Sequence, residues 1–217
     1  MSGLLFHLMN RAAKRATLFE GHGDYEAFIA LLRHAAKRLR VAIYAYCVMP
    51  NHWHLIASAR DEGGISRFMH WLTTTHARRW QLFRGTDGQG AVYQGRFRAV
   101  AVAEDRHFLW VCRYVERNAV RASLVARAED WQWSSLGARV RNGDIDWLAT
   151  WPVPQPPGWV EHVNLPQTAA ELAAFRSSVR RGEPYGDAEW SARIAQRTGR
   201  NCSRRPRGRP KRTVLFK

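Results

Sequence analysis

Residues 41–59 (VAIYAYCVMPNHWHLIASA) constrain the fold more than any other stretch. β-Branched and aromatic residues run through 41–49, break at Pro50-Asn51, and resume in alternation from His52. Such a run reads as two strands joined by a tight turn. The flanking segments carry the other period. From Asp24, read as an N-cap, Tyr25, Phe28, Ile29, Leu31, Leu32, Ala35, Ala36 and Leu39 recur at helical spacing, with Arg33, Lys37, Arg38 and Arg40 on the wet face. Residues 4–9 read as a first strand, followed by a basic loop through Lys14 and Arg15. Gly63-Gly64 opens a second helical stretch, from 65 to about 83; residues 97–103 alternate as a fourth strand; and Glu104-Asp105 starts a helix that runs to about 122. The order βαββαβ plus a helix predicts an α+β fold, a ferredoxin-like split βαβ sandwich with an antiparallel sheet and helices on one face. A C-terminal helical and basic extension follows.

The length of 217 residues suits one domain with an appendage. The expected division is a domain over 1–136, a Pro-rich strap or linker over 137–168, and a small helical segment with a basic tail over 169–217. The strap contains WPVPQPPG at 151–158, with four prolines, and the helical pieces fall at 169–181 and 188–196. The formal net charge is +16, which points to nucleic acid, because Lys and Arg bind polyphosphate by releasing condensed counterions. Ten Lys or Arg and no acid lie beyond Glu189, leaving +6 for residues 1–189. Cys47, Cys112 and Cys202 are an odd number without close pairs, which argues against a disulfide framework and a Cys-based zinc site and fits a reducing cytoplasm. No apolar run approaches the ~18 residues of a membrane span, so no membrane partner is expected.

Two constellations carry chemistry. His52 and His54, two apart on a strand, point to the same face and can reach one metal ion, while Trp53 turns the other way into the core. Tyr114 and Asn118, four apart on the last predicted helix, share a face, and Arg113, Arg117 and Arg121 read as an adjacent stripe suited to phosphates. His7, His70, His76 and His107 read as surface or packing residues, with His7 placed to neighbour the site. Trp131 and Trp133 read as a pair that docks a strap onto the core. In the tail, Arg204–Arg212 contains Pro-Arg-Gly-Arg-Pro and resembles an AT-hook. Arg207, Arg209 and Lys211 would enter an A·T-rich minor groove or serve as a plain basic arm.

The stretches FHLMNRA, YCVMPNHWHLI, VYQGRF and RYVERNAVRASLV, followed by WQWSS, resemble the REP-associated tyrosine transposases, bacterial relatives of the single-tyrosine HUH transposases of small insertion sequences. The resemblance spans about residues 4–136 in consistent order. It implies a nuclease fold in which His52 and His54 bind Mg²⁺ or Mn²⁺ with Asn118 as third ligand, and Tyr114 attacks a phosphodiester to form a 5′-phosphotyrosine. Single-stranded and hairpin DNA, with REP-type palindromes, would be the substrate. Ala119 stands where this family usually has proline. A monomer in the cytoplasm, associated with the nucleoid, is the accompanying expectation. Two other readings remain open: a regulator that grips nucleic acid without cutting it, and a replication initiator or relaxase.

Overall fold

The structure is a computed structural model that describes residues 3–143 and 145–198. Strands β1 (Leu5–Arg11), β2 (Val41–Met49), β3 (His52–Ala59) and β4 (Arg98–Val102) form one antiparallel sheet in the order β2-β3-β1-β4. Helix α1 (His22–Leu39) connects β1 to β2, and α2 (Gly64–Arg84) connects β3 to β4. The predicted ferredoxin-like order is therefore the observed one. After β4 come α3 (Arg106–Glu116), α4 (Asn118–Arg121), α5 (Ser135–Asn142), α6 (Trp159–Asn164), α7 (Ala169–Arg181) and α8 (Ala188–Arg197).

The period of two sorts the strands between two cores. Leu8, Ile43, Trp53, Leu55 and Ala57 face α1 and α2, where Phe28, Leu32, Phe68 and Leu72 are fully buried. Leu5, Ala45, Cys47 and Ile56 face the opposite way, toward Phe108, Val111 and Val115 of α3. A β-bulge between Ile43 and Ala45 shifts the parity of β2, so that Ile43 and Tyr46 share a face. The two crossover helices thus cover one face, and α3 with the C-terminal extension covers the other.

Both sheet edges are closed by later chain, which removes unpaired strand groups that would otherwise recruit another chain. On β2, Val48 N–H donates to Trp133 O (2.9 Å) and Trp131 Nε1 to Val48 O (2.9 Å). Trp133 stacks on Tyr25 at 4.7 Å, so this tryptophan pair packs the strap against the core. On β4, Tyr185 N–H donates to Ala101 O (2.8 Å) and Ala103 N–H to Tyr185 O (2.9 Å). Residues 151–158 lie along β2 through a bond from Trp151 Nε1 to Tyr44 O (3.0 Å). The boundaries expected at 136 and 168 therefore do not separate packing units among the described residues.

Two local expectations are corrected. α1 begins at His22 with Gly21 as its N-cap, and Asp24 sits in the first turn, its Oδ2 accepting the Glu20 and Gly21 N–H groups at 2.8 and 3.3 Å. The carboxylate caps from inside the helix because it can reach backward to two orphan donors. The helix expected to run to about 122 is interrupted at Arg117 (φ −83°, ψ 3°) and resumes at Asn118. Cys47 and Cys112 are buried free thiols. Among the described residues no helix is long and apolar enough to cross a membrane.

His76 belongs to the α1/α2 core and gives the fold a pH dependence. Its Nδ1 meets Tyr93 Oη at 2.7 Å, and that hydroxyl accepts from Trp53 Nε1 (3.1 Å). Burial pushes its pKa down to about 4, against an opposing pull from Asp24. The unfolded chain binds this proton near 6.5, so the stabilisation is complete above that pH and is lost as pH falls from 6.5 through 4. The loss is on the order of 3 kcal/mol at about 1.4 kcal/mol per unit. Urea unfolding at pH 7 and pH 4.5 should show a shallower decline for His76→Phe than for the wild type. Equal declines would refute the assignment.

Candidate active site

The site is built from β3 outward. His52 and His54 lie on the α3 side of β3, their ring centroids 5.0 Å apart, while Trp53 between them is fully buried on the other side. Asn51 in the turn accepts from His52 Nδ1 at 2.6 Å, which leaves His52 Nε2 with its lone pair free. His54 Nδ1 meets Nε2 of His7 at 2.8 Å. His7 comes from β1, where it is paired with Ile56, and Met9 is paired with His54, so the two histidines are diagonal neighbours. When His54 Nδ1 donates to His7, His54 Nε2 is likewise free as a ligand.

All three imidazoles are neutral. Burial, with the Arg121 charge adding to it, pushes His7 down to about 3. Burial and the Arg11 and Arg121 guanidinium groups push His52 down to about 4. His54 is held well below its ordinary value chiefly by burial and by its histidine neighbours. A neutral ring is the form that binds metal.

Tyr114 and Asn118 face the same cavity of about 710 Å³ as His7, His52 and His54. Tyr114 is 9% exposed, with its ring edge-on to His54 (5.9 Å), stacked on Trp110 (5.7 Å) and against Phe175 (4.7 Å). The Arg121 guanidinium lies 4.0 Å over the Tyr114 ring and donates to Tyr114 O (2.6 Å) and Gln167 Oε1 (3.1 Å). That cation is placed to seat the phenol ring.

The end of α3 is fixed by Glu116, fully buried two residues beyond the tyrosine. Its carboxylate accepts from Ser135 Oγ (2.6 Å), Trp159 Nε1 (2.8 Å) and Arg139 (3.0 Å), joining α3 to α5 and α6. Burial raises its pKa while Arg139 opposes the rise. Nothing in the local sequence announced this node, because its partners are 19 to 43 residues away.

Among Arg113, Arg117 and Arg121, only Arg121 lines the cavity. Arg113 donates to Leu165 O (2.6 Å) and Pro166 O (3.3 Å), and Arg117 to Asn164 O (3.4 Å), so both bind the end of α6 and the residues just after it. Counted from Tyr114 at about 100° per residue, Arg113 lies about 100° away and Arg117 about 60°, whereas Arg121, beyond the break at Arg117, is brought over the Tyr114 ring. The expectation of one phosphate stripe is corrected accordingly. Arg11, Arg96, Arg98, Arg176 and Arg180 line the cavity instead, and no acidic residue lines it among the described residues. Arg207, Arg209 and Lys211, with the AT-hook-like segment, lie outside the described residues.

The donors fit a divalent ion. Among the described residues no group of three or more His, Cys, Asp or Glu side chains is placed to hold a metal. With His52 and His54 as two donors, Asn118 would be the third. It is 8% exposed and its Nδ2 has no hydrogen-bond partner. A half-turn of the amide would place its carbonyl oxygen at that unpartnered position. Two neutral imidazoles and an amide oxygen suit Mn²⁺ readily, and Mg²⁺ with several waters retained.

No curated protein matches the chain. Among solved structures it is similar to that of a REP-associated tyrosine transposase bound to a REP hairpin, at 17% identity and a TM-score of 0.52, over 69% of this chain and 87% of that one. A candidate transposase from Deinococcus radiodurans aligns at 21% identity and a TM-score of 0.41, over 52% of this chain and 88% of that one. The family model described as "Transposase IS200 like" matches residues 1–118, more than half of the chain and a span that holds His7, His52, His54, Tyr114 and Asn118. The chain belongs to the IS200-like transposase family.

Proposed function

We propose that this transposase cuts and rejoins single DNA strands at hairpin-forming repeats of the REP type, with Tyr114 as nucleophile and Mg²⁺ or Mn²⁺ held by His52, His54 and Asn118. The observation that carries the reading is the convergence of one phenol and two neutral imidazoles in a single arginine-lined cavity. A hairpin substrate is supported by the structural relative bound to a REP hairpin.

Tyr114 Oη attacks the scissile phosphorus, the bond to the 3′ oxygen breaks, and a 5′-phosphotyrosine and a free 3′-OH result. Arg121 holds the phenol ring, and the cavity arginines offset the charge of the entering phosphates. The ion, when bound, polarises the scissile phosphate and offsets its charge. The phosphotyrosine bond conserves the energy of the broken ester, so attack by a second 3′-OH joins strands without ATP.

Incubating the full chain with a labelled single-stranded hairpin oligonucleotide and Mn²⁺ should yield a protein–DNA band that survives denaturing electrophoresis, and EDTA should remove it. A band that persists in chelator would overturn the metal assignment. Tight hairpin binding without a band in any divalent metal would establish instead a regulator that does not cut.

A further inference from the structure

α7 lies outside the segment that the family model matches, yet it forms a wall of the catalytic cavity. Its buried side chain, Phe175, stands 4.7 Å from the Tyr114 ring and 5.1 Å from His7. Arg98 donates to Val179 O (3.4 Å), tying the helix to β4. With the helix held there, Arg176 and Arg180, four residues apart and so on one face, are exposed on the cavity wall.

The charges on this wall are uncompensated. Arg33, Arg84, Arg139 and Arg181 each have a carboxylate partner. Arg176 and Arg180 have no ion pair or hydrogen bond among the described residues, and neither do the Arg11 and Arg96 side chains. Cations gathered around one concave site without counter-charges raise the local concentration of anions. Arginines stand on more than one wall of this cavity of about 710 Å³.

We propose that α7 is a phosphate-binding wall of the catalytic cavity, in which Arg176 and Arg180 each hold one phosphodiester of the single-stranded segment beside the scissile bond. This rests on the reading of the cavity as the DNA-cutting site. It extends the substrate channel beyond the residues of the family domain to a helix that the IS200-like match does not include.

The test measures binding in the full chain carrying Tyr114→Phe, so that no strand is cut. Affinities for a 20-nucleotide single strand and for a duplex of the same sequence are titrated against salt, with and without Arg176→Gln plus Arg180→Gln. Each phosphate contact on a single strand contributes about 0.7 to the log–log salt slope, so the double variant should lose about 1.4 on the single strand. Its affinity at 0.15 M salt should fall at least about tenfold, as two charge-assisted bonds are removed. The duplex slope should stay unchanged, as should both slopes in Arg181→Gln, whose charge is already paired with Glu183. An unchanged single-strand slope, or equal losses on both probes, would overturn the proposal. Failure of the cutting reading is separate, since it would appear as absence of the covalent band from the protein with Tyr114 intact.

Discussion

Tyr114→Phe should eliminate the covalent protein–DNA band while hairpin affinity changes by less than about tenfold. The substitution removes one oxygen, and a single neutral hydrogen bond is worth about 0.5–1.5 kcal/mol in binding. The ring keeps its seat, because Arg121 above it, Trp110 stacked on it and Phe175 at its edge all contact carbon. Among the described residues Tyr114 is the only tyrosine that lines the cavity. Tyr93 is buried on the opposite face of the sheet, its hydroxyl already engaged by Trp53 and His76, and burial raises its pKa further. Tyr46 lies on that same face, pushed up to about 12 chiefly by burial. A phosphotyrosine band from the Tyr114→Phe protein, located by peptide mapping, would move the nucleophile to another residue and refute the assignment.

The sequence disclosed those parts of the site that one element's period fixes. In β3, alternation alone put His52 and His54 together and Trp53 opposite, and the sheet keeps that arrangement because a slip by one residue would expose Trp53. Tyr114 and Asn118 were likewise related by one helical turn. The same period misled at the arginines, where a stripe drawn through Arg113 and Arg117 to Arg121 ignored that Arg121 falls back to the tyrosine's face. His7 was legible as a neighbour and not as a partner, since its bond to His54 depends on the diagonal register of β1 against β3. The α7 wall was not legible at all. Amphipathic spacing shows that residues 169–181 form a helix and says nothing about where it docks, and its position depends on Phe175 finding Tyr114 some sixty residues back. Long-range packing, with its loop-closure cost, leaves no trace in local pattern.

His52→Ala and His54→Ala should each remove cleavage, and they should do so with different structural consequences. Each deletes one of two imidazole nitrogens that the proposed site offers to a single ion, and the remaining His–Asn pair has too few protein donors to hold it. Mn²⁺ titration by calorimetry should therefore lose its heat in both variants, in parallel with activity. His52 is half-buried in the cavity lining and, among the described residues, its only side-chain bond is to the adjacent Asn51, so His52→Ala should shift unfolding free energy by no more than about 0.5 kcal/mol. His54 is 4% exposed and, among the described residues, is the only hydrogen-bond partner of the His7 ring, whose Nδ1 has none there. Removing it leaves His7 Nε2 buried and unpaired, which costs about 1–3 kcal/mol before any cavity is counted. The informative comparison is thus equal loss of metal binding with unequal loss of stability. Retention of Mn²⁺ heat by either variant, or full cleavage by either in EDTA, would show that the histidine pair is not the metal site.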